Sequence, residues 1–111
     1  IVASLIDRPL TAAEGGVKAA TCSIASRDNG LTVTATLTLP PTGGDEVVVI
    51  EAGDPMVWVS ESDVTRDGDR LTATSDMVHA GADAFALDRS AVRFTVFGSS
   101  HVVDIQGCTG G

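Results

Sequence analysis

Basic side chains are scarce in this sequence. One lysine and six arginines stand against 15 acids, giving a net charge of -8 over 111 residues. A field of that sign repels phosphate backbones and anionic lipid headgroups, so neither nucleic acid nor a membrane surface is expected as a partner. Long apolar runs are missing too, and none approaches the roughly 20 residues that span a bilayer, so no transmembrane segment is expected. The start, Ile1-Val2-Ala3-Ser4-Leu5-Ile6-Asp7, has neither the basic region nor the long apolar region of a signal peptide. It lacks an initiator methionine as well, which is read as the removal of something upstream, by processing or by cutting.

Cysteine is sparse, and its placement is informative. Cys22 and Cys108 lie near opposite ends of the sequence, and two cysteines in one domain allow a single intrachain bridge. That bridge is expected here. It would restrict the unfolded chain by roughly 4 to 5 kcal/mol on the loop-entropy view, and it implies an oxidising compartment, periplasmic or secreted. Thiol exchange usually relies on a close Cys-X-X-Cys pair; these cysteines are far apart and read as structural.

What the sequence does contain is β-branched and aliphatic. Leu, Ile, Val and Phe supply 29 of the 111 residues, about a quarter, above the range in which disorder is expected. Val, Ile and Thr supply 31, and such side chains fit the pleated surface of strands better than a helix. A chain this long makes one domain, residues 1–111.

The clearest pattern is Leu31-Thr32-Val33-Thr34-Ala35-Thr36-Leu37-Thr38-Leu39, in which apolar and hydroxyl side chains alternate without a break. A period of two puts the leucines, valine and alanine on one face of a strand and four threonines on the other. The sheet should therefore have one dry side and one wet side. Residues 19–26 alternate more weakly, and Arg27-Asp28-Asn29-Gly30 supplies a turn whose Asn and Gly tolerate positive φ, giving a hairpin with the strand that follows. The apolar patch Ile1, Val2, Leu5 and Ile6 reads as an edge strand. Thr11 with Glu14 resembles a capping box, but Gly15-Gly16 follows so closely that only a loop with at most one helical turn is expected.

Pro40-Pro41-Thr42-Gly43-Gly44 stops the long strand. Val47-Val48-Val49-Ile50 is apolar on both faces, which suggests a strand covered on both sides or central in its sheet. Ala52-Gly53-Asp54-Pro55 then turns the chain into Met56-Val57-Trp58-Val59-Ser60, which reads as a second hairpin. Arg66-Asp67-Gly68-Asp69-Arg70 is another turn, and the alternation returns at Leu71-Thr72-Ala73-Thr74-Ser75, continuing into Met77-Val78-His79. Phe85 and Leu87 should plug a loop onto the core. Val92, Phe94 and Val96 alternate, Gly98-Ser99-Ser100 turns, and Val102-Val103-Asp104-Ile105 returns in a final hairpin.

Seven to nine short strands with frequent turns indicate an all-β antiparallel β-sandwich, with a small β-barrel as the alternative. Cys22, Trp58 and Cys108 invite comparison with the immunoglobulin pattern of two cysteines and a core tryptophan. Trp58 lies too far from Cys22, and the absence of tyrosine removes the tyrosine corner. The expectation is immunoglobulin-like in general architecture alone.

Candidate chemistry is thin. Gly98-Ser99-Ser100-His101-Val102 approaches a nucleophile elbow but lacks the closing glycine and sits between two strands, so it reads as a polar hairpin loop. Met77 and His79, two apart, would project from one face of a strand, and His101 and Met56 could approach from neighbours. Thioether plus imidazole suits copper. Glu61, Asp63, Asp67 and Asp69 suggest calcium, but Asp67-Gly68-Asp69-Arg70-Leu71 breaks the EF-hand pattern, leaving a solvated acidic loop. The threonines at 32, 34, 36 and 38 and at 72 and 74 form one long row and one short one, read as a polar outer face and not as a hydroxyl array for ice, sugar or mineral.

The sequence therefore points to a non-catalytic, extracytoplasmic binding, accessory or structural module. It would carry no cofactor, bind a protein or small ligand of unassigned identity, and exist as a monomer or weak oligomer. The alternative is a periplasmic copper-binding protein using Met77, His79, His101 and Met56, and a small hydrolase ranks last.

Overall fold

The uninterrupted alternation after Gly30 sets the architecture. In the computed structural model, which describes residues 9–81 and 85–110, Gly30–Thr38 forms strand β2. Its Val33, Ala35 and Leu37 are fully buried, and its threonines face the other way, half-buried. Strand β1, Ala19–Arg27, pairs with β2 antiparallel over its whole length, with Cys22 opposite Ala35 and Ile24 opposite Val33.

The tight turn forms where expected, but for another reason. Among the described residues only glycines have positive φ, and Gly30 is not one of them. What position 30 requires is room, because a Cβ there would lie 2.1 Å from the backbone carbonyl oxygen of Met77 on the next strand.

That next strand is β6, Arg70–His79, antiparallel to β2, with Leu71 opposite Leu37 and Met77 opposite Leu31. Two short strands share its far edge: β4, Val57–Val59, and β5, Asp63–Asp67. The chain end supplies β9, Thr109–Gly110, parallel to β1 at Thr21 and Cys22. These six strands form one sheet. The second sheet has three: β3, Val47–Glu51, then β7, Arg93–Phe97, then β8, Val102–Gln106, all antiparallel.

The dry faces of the two sheets meet. Phe94, Val96, Val103 and Val48 from the small sheet pack with Leu37, Leu71, Val33 and Met77 from the large one, all at most 2% exposed. Burying each such side chain is worth roughly 1.5 to 3 kcal/mol. The two sheets remain separate, so the fold is a sandwich and not a closed barrel. Phe85 and Leu87 pack against the edge of this core.

Two local expectations are overturned. The run Val47–Ile50 is not covered on both sides: β3 is an edge strand, and Val47 and Val49 are 54% and 44% exposed on the open face of the small sheet. Its outward valines take their place through strand propensity and cross-strand pairing, Val47 with Phe97 and Val49 with Thr95. Nor do β3 and β4 form a hairpin, since β3 joins β7 while β4 joins β6 in the other sheet. Between them Gly53, at φ 81°, and an Asp54 carboxylate accepting from the Met56 amide carry the chain across the sandwich.

The capping box at Thr11 and Glu14 is reciprocal, and Gly15 closes a single helical turn onto the Thr11 carbonyl. The strand expected from Ile1 to Ile6 lies outside the described residues.

Candidate functional site

Strand register decides what the wet face of the large sheet looks like. Thr36 of β2 stands opposite Thr21 of β1 on one side and Thr72 of β6 on the other, and Thr72 in turn faces Thr65 of β5. One step along, Thr34 stands between Ser23 and Thr74, with Asp63 beyond. The threonines of β2 and β6 are therefore not a long row and a short one. They are the middle of a hydroxyl field four strands wide. Sequence reasoning missed it because alternation places a residue on a face but does not say which strands are neighbours.

At one end the field stops at a hydrophobic wall. Trp58 pairs with Val78 and is 64% exposed, with Val78 beside it also exposed. Trp58 is thus on the outside of the sheet, while its neighbours Val57 and Val59 point inward against the core. A hollow of about 520 Å³ lies next to Val78, lined also by Gly30, Arg27, Asp28, Asn29 and Met77. Arg27 is held over the field by a 2.8 Å ion pair with Asp76, which also accepts from the Thr32 hydroxyl.

The residues singled out for soft-metal binding are dispersed. Met77 is completely buried in the core. Met56 and His79 both border Gly81: a Cβ there would lie 3.6 Å from the imidazole Cε1 and 3.8 Å from the Met56 methyl. His79 Nδ1 accepts a hydrogen bond from the Gly81 amide, Nε2 is 3.9 Å from the Asp54 carboxylate, and the ring lies 5.5 Å from that of Phe85. His101 is at the other end of the molecule. Its loop is tied by Ser99 and Ser100 amides to Gly43 and Thr42, beyond the Thr38–Arg70 end of the large sheet. The ten residues of β6 put His79 about 30 Å from that end, at roughly 3.3 Å per residue. Among the described residues no group of three or more His, Cys, Asp or Glu is close enough to hold a metal ion.

The most perturbed titrating group holds the fold together. Glu46 is pulled down to about 2, first by the Arg66 guanidinium and then by the Thr42 hydroxyl and amide, against the opposing effect of burial. The guanidinium reaches it through Nε at 2.7 Å and Nη2 at 2.6 Å, and its Nη1 donates to the Leu39 carbonyl. With every carboxylate oxygen occupied from within the protein, this group is a clamp between the 39–46 crossover and β5, with nothing left to offer a substrate. Asp104 is also lowered, by the Arg93 guanidinium paired with it on the outside of the small sheet.

The sulfurs of Cys22 and Cys108 are bonded at 1.97 Å with their Cα atoms 5.7 Å apart. Cys22 is buried under the sheet and Cys108 is partly open. The bond fixes β9 beside β1.

These features define a two-sheet β-sandwich with a disulfide-tethered tail and a broad polar face ending at an exposed tryptophan. A solved structure shares the fold: the chain is similar to the N-terminal periplasmic domain of ScsB from Proteus mirabilis, with a TM-score of 0.75 and 17% identity over 98% of this chain and 42% of that one. No protein-family model matches the sequence, and a search of curated proteins found no match.

Proposed function

We propose that this chain is a non-catalytic binding module that works outside the cytoplasm, a single domain over residues 1–111, and that it holds its partner on the wet face of the large sheet. One observation carries the reading: Trp58 is 64% exposed beside exposed Val78, where a large apolar side chain has no folding role. Tryptophan and arginine in such a position are the residue types that anchor recognition surfaces. The extracytoplasmic assignment is supported by the disulfide and by likeness to a domain described as periplasmic.

The test is sedimentation of the purified protein with isolated cell envelopes of the source organism. Trp58→Ala should lower retention about tenfold, the loss of one anchor side chain, while Val49→Ser on the opposite face should leave it unchanged. Equal retention of Trp58→Ala and the unaltered protein refutes the reading. Thiol blocking before mass measurement checks the compartment: the exported protein should take up no label, and two labelled cysteines would remove the argument for location.

A further inference from the structure

Resting on that reading of the face, we propose that its ligand is a neutral glycan chain, which lies along the hydroxyl field with one sugar ring stacked on Trp58. Hydroxyl groups both donate and accept, so a field of them complements a polyol better than an apolar protein surface. The hydroxyls repeat about every 4.8 Å across the strands and about every 6.7 Å along them. From the Thr38–Arg70 row to the Val78–Trp58 row is roughly 26 Å at 3.3 Å per residue, room for several sugar units. Rings present apolar C–H faces that stack on an indole, and Trp58 stands open on this surface.

The hollow beside Val78 adds groups of the kind that grip sugar hydroxyls in pairs, the Asn29 amide and the Asp28 carboxylate, both exposed at the turn. Charge selects the ligand class. Asp63, Asp67 and Asp76 border the field, and the whole chain carries -8, so an anionic polymer is repelled. A rigid lattice such as ice is disfavoured because adjacent strands twist by about 20°, and the field spans four of them. A flexible chain follows that twist.

Trp58 is the sole tryptophan, so its emission reports directly on the site. The protein is titrated with cellohexaose, chitohexaose and maltohexaose. At least one should change the emission with a dissociation constant below about 1 mM. The paired variant Thr34→Val, Thr72→Val keeps shape and strand propensity but removes two hydroxyls, and should weaken that binding roughly five- to 150-fold at one net hydrogen bond per hydroxyl. No response from any of the three sugars overturns the glycan assignment, as does binding that the threonine variant leaves unchanged. The envelope experiment separates the two levels of failure. If retention still depends on Trp58 and is abolished by protease but not by periodate, the face is a binding surface and its partner is a protein. If retention ignores Trp58, the binding reading itself falls.

Discussion

Replacing Glu46 by glutamine tests the electrostatic account of the fold most directly. The carboxylate accepts from the Arg66 Nε and Nη2 atoms and from the Thr42 hydroxyl and amide at 2.6 to 3.0 Å, and these donors hold its pKa near 2 against an ordinary 4.5. By linkage that difference corresponds to roughly 3 kcal/mol of folding stability. The Glu46 side chain is 4% exposed but Arg66 is 20% exposed, so solvent screening brings the expected loss nearer 2 kcal/mol.

The sign follows from the direction of the shift. A carboxyl whose folded pKa is depressed contributes its full stability above the unfolded value and loses it as pH falls through the folded one. The stability gap between the unaltered protein and Glu46→Gln should therefore be widest above about pH 5.5 and close progressively below about pH 4.5. Asp104 and Asp88, also lowered by their own partners, are common to both proteins and cancel in the difference. The measurement is urea unfolding followed by far-ultraviolet circular dichroism, because Trp58 is already exposed in the folded state and its emission is a weak reporter of unfolding. A gap that stays constant from about pH 6 to pH 3, or one below about 0.5 kcal/mol at neutral pH, would refute the reasoning.

Two further substitutions test packing. Gly30→Ala should destabilise the protein by more than about 2 kcal/mol, because its Cβ would press on the rigid Met77 carbonyl; thermal unfolding within a degree or two of the unaltered protein would sink the close-approach argument. Ser75 is 2% exposed and its hydroxyl finds no hydrogen-bond partner among the described residues, so Ser75→Ala should be neutral or stabilising by up to about 1 kcal/mol. A clear loss in chemical denaturation would mean that the hydroxyl is satisfied after all.

What the sequence made legible was whatever depends on a single strand. The faces of β2 and β6 follow from period two, and Val33, Leu37, Leu71 and Phe94 are buried as that pattern requires. Assignment of a strand to a sheet is a different problem. Val48 and Ile50 face inward just as Val57 and Val59 do, and an inward face is equally dry whichever sheet supplies it. The short connection between β3 and β4 therefore suggested a hairpin where the chain in fact changes sheets. The hydroxyl field was hidden for the same reason: Thr65 and Thr21 join it only because β5 and β1 happen to flank the strands that carry the other threonines. Turn chemistry gave the right location at Gly30 and the wrong cause, since the constraint comes from Met77, 47 positions away in the chain.

The bond between Cys22 and Cys108 closes a loop 86 residues long in sequence separation, and every strand from β2 to β8 lies inside it. Tension applied to the two flanks of the chain enters at one sulfur and leaves at the other, so it bypasses the hydrophobic interior. A domain tethered in this way passes on a pull without being unravelled by it, and only what lies outside the loop lengthens.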